Sequence, residues 1–104
     1  QRSIDYILEN ISKDISVKDV AEYVCFSPEY FSKLFKKETG ENVKNYILRV
    51  KVEAAKDLLK NPNIPVSMVA SELGYSNFSH FTQMFKKHEG VTPSEYRKKY
   101  GEGN

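Results

Sequence analysis

A repeat with a period of about fifty residues constrains this chain more than any other feature of its sequence. Val17-x-x-Val20-Ala21 recurs as Val66-x-x-Val69-Ala70, and Phe31-Ser32-Lys33-Leu34-Phe35-Lys36-Lys37 recurs as Phe81-Thr82-Gln83-Met84-Phe85-Lys86-Lys87. Gly40 then matches Gly90, and Tyr46 matches Tyr96. The offset is 49 in the first block and 50 in the later ones, so the second copy carries one extra residue, in its turn or at the start of its second helix. A fixed internal period marks a supersecondary unit used twice.

Each copy reads as helix, tight turn, helix. In the first, Ser16 is placed to cap a helix, with Asp19 three residues on as the reciprocal partner. Val17, Val20, Ala21 and Val24 have the i, i+3, i+4, i+7 spacing of one buried helix face. Ser27 caps the next helix and Pro28 occupies its first position, where the missing N–H costs nothing. Phe31, Leu34 and Phe35 form its apolar stripe, and Gly40 ends it. In the second copy Val66, Val69, Ala70 and Leu73 lead to Gly74, where a positive φ is cheap. Phe81, Met84 and Phe85 then lead to Gly90. Cys25 stands where the second copy has Gly74, so the first turn is either less strained or holds a non-glycine residue at some cost.

Three further helices are expected. Ile4, Ile7, Leu8 and Ile11 mark an amphipathic helix at the start. Tyr46, Ile47, Val50, Ala54, Leu58 and Leu59 mark a long one over residues 43–60, closed by Asn61-Pro62-Asn63-Ile64-Pro65. Thr92-Pro93-Ser94-Glu95 is a capping box that opens a short last helix. No segment alternates as a strand. The expected architecture is all-α with about seven helices: residues 1–42 form the first helix and the first helix-turn-helix, 43–60 a linker helix, and 61–104 the second helix-turn-helix and the last helix.

The seven Tyr and six Phe, with no Trp, must supply much of the core volume. No apolar run approaches the ~20 residues of a membrane span, and the polar start, Gln1-Arg2-Ser3-Ile4-Asp5, is not a signal peptide. A chain that does not begin with Met is expected to be a fragment of a longer protein. Cys25 is the one cysteine, which suits a reducing cytoplasm and excludes a cysteine-based zinc site. It is expected to be a small, partly buried residue. His80 and His88 stand without a Ser/His/Asp or metal-ligand pattern, and no glycine-rich phosphate loop is present. Neither catalysis, nor a metal, nor a cofactor is expected.

The net charge of +2 hides a division. Residues 1–32 carry three basic and six acidic side chains, residues 33–60 eight and four, and residues 61–104 five and four. The positive charge therefore lies beyond the first third, as local clusters able to meet phosphate or simply to solvate a helix face.

Read together, Ser27-Pro28-x-Tyr30-Phe31-Ser32-Lys33-Leu34-Phe35-Lys36-Lys37-Glu38-Thr39-Gly40, Ala55-x-x-Leu58-Leu59, Val69-Ala70-x-x-Leu73-Gly74-Tyr75-Ser76 and Phe81-x-x-x-Phe85-Lys86-Lys87-x-x-Gly90-Val91-Thr92-Pro93-Ser94-Glu95-Tyr96-Arg97 resemble the DNA-binding domain of AraC/XylS-type transcription regulators. The resemblance covers residues 3–100. It implies two homeodomain-like helix-turn-helix units on a central helix, whose second helices enter successive major grooves of double-stranded DNA to control transcription, with activation the expected mode. It also implies RNA polymerase as a further partner, a monomer for the isolated domain, and a dimer as an option for the whole regulator.

By that correspondence Glu29, Ser32 and Lys33 in the first copy, and Phe78, Ser79, Thr82 and Gln83 in the second, fall where base edges are met. Lys33 can reach guanine O6 and N7, Gln83 can pair with adenine N6 and N7, and Phe78 or Thr82 can touch a thymine methyl. Many family members have Arg at the position of Gln83, so a guanine contact is in doubt there. Glu29 can accept from cytosine N4, but stabilising its own helix N-terminus is the favoured reading. Phosphate contacts are expected from Lys36, Lys37, Arg49, Lys51, Lys86 and Lys87, and from backbone N–H groups at the helix starts near Ser16, Ser27 and Thr92. His80 is expected to serve structure, and Tyr46 and Tyr96 to pack in the core. A helix-turn-helix used only for protein contacts is the alternative. The local lysines and the twin recognition helices argue against it.

Overall fold

The computed structural model describes residues 2–101. These form seven α-helices and no strand: α1 (Arg2–Glu9), α2 (Val17–Tyr23), α3 (Pro28–Thr39), α4 (Val43–Leu59), α5 (Val66–Glu72), α6 (Phe78–Glu89) and α7 (Pro93–Tyr100). The starts follow from local chemistry. The Asp19 amide donates to Ser16 Oγ at 3.2 Å and the Ser16 amide to Asp19 Oδ2 at 2.9 Å, a complete capping box. Thr92 and Glu95 repeat it at the start of α7, at 3.1 and 2.8 Å. Both carboxyls are held below their usual range, first of all by the hydrogen bonds from the capping residues. Ser27, Asn42 and Asn77 cap α3, α4 and α6. Pro65 stands at the α5 cap and offers no side-chain hydrogen bond, so the second copy begins with a weaker stop than the first.

The expected α1 stripe holds only in part. Ile7 is fully buried and Ile4 half-buried, but Leu8 is 50% exposed and Ile11 lies beyond the end of the helix. Helix α1 is only eight residues long and joins the first core through Ile7, which leaves Leu8 on its solvent side.

The two tight turns share one hydrogen-bond pattern. Phe26 N–H bonds Ala21 O and Cys25 N–H bonds Glu22 O; Tyr75 N–H bonds Ala70 O and Gly74 N–H bonds Ser71 O. This is the Schellman closure of a helix C-terminus, which needs a left-handed residue just past the helix. Cys25 takes φ +64° and Gly74 takes φ +83°. Cys25 therefore holds the strained conformation as a non-glycine residue, and it is exposed, not partly buried as expected. The turns match through Phe26 and Tyr75. Ser27 then caps α3 directly, whereas Ser76 intervenes before the Asn77 cap, so the extra residue of the second copy lies in the turn.

The two turn positions are predicted to respond oppositely to substitution. Cys25→Gly relieves a left-handed penalty of ~1 kcal/mol, less the entropy that glycine adds to the unfolded chain, and is expected to raise the urea midpoint slightly. At Gly74 an added Cβ would lie 2.7 Å from Lys13 C and 2.9 Å from Asp14 N, both backbone atoms. Gly74→Ala is therefore expected to cost more than the conformational penalty alone, about 2 kcal/mol or more. Equal midpoints for the two variants would contradict this.

Two separate cores flank α4. Ile7, Val20, Ala21, Phe31, Phe35, Val43 and Ile47 form the first; Val52, Ala55, Leu59, Val69, Ala70, Leu73, Phe81, Phe85 and Tyr96 form the second. The aromatic packing repeats with the sequence. Phe31, Phe35 and Tyr46 pack in series, tilted and then edge-on, at 5.7 and 5.5 Å between ring centres, and Phe81, Phe85 and Tyr96 do the same at 6.1 and 5.7 Å. Tyr96 thus packs in the core as expected, whereas Tyr46 is half-buried and packs against the edge of the first core. Arg97 ties α7 to the end of α4, donating to the carbonyls of Leu59 at 2.9 Å, Asn61 at 3.2 Å, and Ile64. The result is an elongated molecule of 46 × 23 × 22 Å with one helix-turn-helix at each end of α4.

Candidate nucleic-acid interface

Helices α3 and α6 are the second helices of the two units. Burying Phe31 and Phe35 on α3, and Phe81 and Phe85 on α6, turns the intervening positions outward. On α3 Glu29, Lys33, Lys36 and Lys37 are exposed and Ser32 is half-buried. On α6 Phe78, Ser79, Gln83, Lys86 and Lys87 are exposed and Thr82 is half-buried. Ser32 and Thr82 thus occupy equivalent, flank-lying places. The Thr82 hydroxyl donates to Phe78 O at 3.0 Å, so its proton is used within its own helix, and its methyl group and the acceptor side of its oxygen are left for a base. Phe78 is 47% exposed at the first position of α6, an arrangement that leaves a large apolar surface in water unless something covers it.

The expected phosphate contacts fare unequally. Lys36, Lys37, Lys86 and Lys87 lie in the last turns of α3 and α6, where they also complement the helix dipoles. Arg49 is exposed but paired with Glu41 at 3.1 Å, and the hydrogen bonds to that carboxylate push its pKa up. An exposed pair of this kind is weak and can be exchanged for phosphate. Lys51 is a correction. It is only 4% exposed, and its ammonium donates to Lys13 O at 2.7 Å and to Leu73 O, so it has no path to a phosphate. Burial pushes its pKa down, with Asp14 acting the other way. Ser16 and Thr92 spend their own amides on Asp19 and Glu95, so a phosphate at either start would meet a carboxylate. The Ser27 start has Tyr30 at that place instead of an acid. His80 is exposed; its backbone amide bonds Asn77 Oδ1 at 3.2 Å, so what it gives to structure comes from the amide.

Tyr30 is 55% exposed at the start of α3, the outward place that the helical spacing gives it, with its ring edge-on to Phe26 at 5.1 Å. Its repeat partner is His80. One feature of the surface escapes the sequence pattern. Lys44, in the first turn of α4, shares a shallow cleft with Asn45, Leu48, Met84, Lys87 and His88. That cleft joins a basic residue of each half, and a lysine close behind Lys36 and Lys37 in sequence is the available signal. Among the described residues no group of His, Cys, Asp and Glu is arranged to hold a metal ion, and no helix is long and apolar enough to cross a membrane.

A family model described as a helix-turn-helix domain matches residues 20–99. The HTH-type transcriptional regulator YobQ of Bacillus subtilis is 38% identical over 95 residues, which is 91% of this chain and 39% of that protein. The lactose operon transcription activator of Staphylococcus xylosus is 33% identical over 104 residues, all of this chain and 37% of that protein. The chain thus spans under two-fifths of the length of these relatives. Among solved structures, the C-terminal domain of AraT, a response regulator from Geobacillus stearothermophilus, superposes with a TM-score of 0.93 at 31% identity, covering 99% of this chain and 88% of that one. The DNA-binding domain of AdpA, solved with a target DNA, shares the fold with a TM-score of 0.87 at 23% identity, over 94% of this chain and 88% of that one.

Proposed function

Since the chain belongs to the AraC-type helix-turn-helix domains, the DNA-binding parts of transcription regulators, we propose that it reads one asymmetric site by placing α3 and α6 in successive major grooves. The observation that carries this reading is the repeat itself in three dimensions: two copies of one reading unit, unlike in sequence, at opposite ends of a single helix. Helix α4 has 17 residues, about 25 Å at 1.5 Å per residue. With a unit packed at each end, it suits readers one DNA turn apart, ~34 Å.

In this reading Lys33 contacts guanine, with Ser32 beside it and Glu29 stabilising its own helix start. Phe78, Ser79, Thr82 and Gln83 favour adenine and thymine. Lys36, Lys37, Lys86 and Lys87, the amides near Ser27, and Arg49 once released from Glu41 position the domain on phosphate. The first unit dominates affinity, because its reading surface carries Lys33 where the second carries the neutral Gln83. The whole regulator activates transcription, the role that the Staphylococcus relative's name gives to that protein; it works in the cytoplasm, with RNA polymerase as a further partner. The chain itself is a monomer, and any dimer of the whole regulator is made outside it.

Binding to a random-sequence duplex library at low salt, followed by sequencing of the retained pool, tests the reading. The expected outcome is enrichment of two distinct motifs at one spacing. Absence of binding to any duplex at low salt would refute it.

A further inference from the structure

The two cores share no residue, and α4 passes through both, giving Val43 and Ile47 to one and Val52, Ala55 and Leu59 to the other. Lys51 sits between these sets. Its two acceptors come from opposite halves: Lys13 O from the loop between α1 and α2, and Leu73 O from the end of α5. The same two segments meet a second time, independently of the lysine, where Gly74 lies against the Lys13–Asp14 backbone so closely that a Cβ would not fit. The Tyr75 ring lies 5.3 Å from the ammonium and closes the seam from a third side.

A buried ammonium is costly in this place, and a methionine would fill the volume more cheaply. What methionine cannot do is bond carbonyls of both packing units at once: Lys13 O, which also accepts from the Ile15 N–H at 3.1 Å, and Leu73 O. Leu73 O is one of the last carbonyls of a helix, a group with no partner inside that helix. The bond it receives here comes from a side chain anchored on α4.

We propose that Lys51 is the positioning residue that locks the two helix-turn-helix units in one relative orientation and so fixes the spacing of the two base motifs. The proposal rests on the two-groove reading above. Each base pair added between the motifs moves the second by about 3.4 Å and turns it by about 34°. A locked pair of readers therefore loses one set of contacts when the spacing changes by one step. A hinged pair does not.

The test uses the whole chain with Lys51→Met and Lys51→Arg, the latter keeping a donor able to reach both carbonyls. In the free protein, ¹⁵N relaxation is expected to give one correlation time for both halves in the parent and in Lys51→Arg, and two in Lys51→Met. On duplexes carrying the selected motifs, insertion or deletion of one base pair is expected to weaken the parent and Lys51→Arg about tenfold or more, and Lys51→Met less than about threefold. A single correlation time with undiminished spacing preference in Lys51→Met would overturn the proposal, as would two correlation times in the parent. If Lys51→Met loses its helical signal, Lys51→Gln takes its place: its amide nitrogen stops one bond short of the lysine ammonium and brings an oxygen that cannot donate to either carbonyl, and the same two results would overturn the proposal. Relaxation needs no DNA, so a parent that binds no duplex refutes the two-groove reading and leaves the lock to be judged by tumbling alone.

Discussion

Phe85→Ala is expected to lower the stability of the domain by about 3–5 kcal/mol, the largest effect of any single side chain considered. Phe85 has no exposed surface and touches Phe81 on its own helix and Tyr96 on α7. Truncation removes the ring that joins Phe81 on α6 to Tyr96 on α7 and leaves a hole inside the second core, whose members Leu59, Val69 and Phe81 are fully buried. That hole cannot close without moving the helix that presents Phe78, Ser79 and Gln83. Small domains hold about 5–15 kcal/mol in all, so the variant should lose a large share of its margin. Urea unfolding followed by circular dichroism measures this directly. A loss below about 1 kcal/mol would mean that the second core collapses freely around the gap, contrary to the close packing seen there.

Affinity for DNA is expected to fall about 500-fold between about 50 and 200 mM monovalent salt. Lys36, Lys37, Lys86, Lys87 and Arg49 supply five cationic phosphate contacts, and each contributes about −0.9 to the slope of log affinity against log salt, giving about −4.5. The exposed lysines are the right groups for such a term because their charges are solvated and nothing buried has to move. Fluorescence anisotropy with one labelled duplex across a salt series gives the slope. The double change Lys36→Ala with Lys37→Ala should make it shallower by about two units. Lys51→Arg should leave it unchanged, because that position lies inside the molecule. A parent slope shallower than about −1 would show that lysines contribute little and that the units bind by another face.

Much of the fold is legible in the sequence because its determinants are local and repeated. The Ser16–Asp19 and Thr92–Glu95 capping boxes, Ser27 before Pro28, and the glycines at 40 and 90 each act within a few residues, and the structure has each of them. The repeat then removes the topological ambiguity, since a unit used twice must have a shared partner, and α4 is the one long helix available. The points of disagreement have a common cause. Lys51 has the sequence signature of a surface cation because its acceptors are backbone carbonyls 38 and 22 residues away, which leave no side-chain pattern. Leu8 fits a helical stripe by spacing, but it stays half exposed while Ile7 beside it takes the place in the first core. Cys25 is ambiguous in the sequence, because a left-handed residue at a turn is fixed by hydrogen bonds between backbone groups, and the side chain only bears the strain. Of the candidate interface, the outward faces of α3 and α6 follow from the Phe31/Phe35 and Phe81/Phe85 stripes. The competition from Asp19 and Glu95 at two helix starts does not, since a capping acid and a phosphate seek the same N–H groups.

The two-groove reading is tested most directly by repeating the library selection with Lys33→Ala and with Gln83→Ala, each compared with the parent position by position. Lys33→Ala is predicted to relax specificity in one motif and Gln83→Ala in the other, the affected base pairs lying about one turn, 10–10.5 bp, apart. Loss of specificity at the same base pairs in both variants would contradict it.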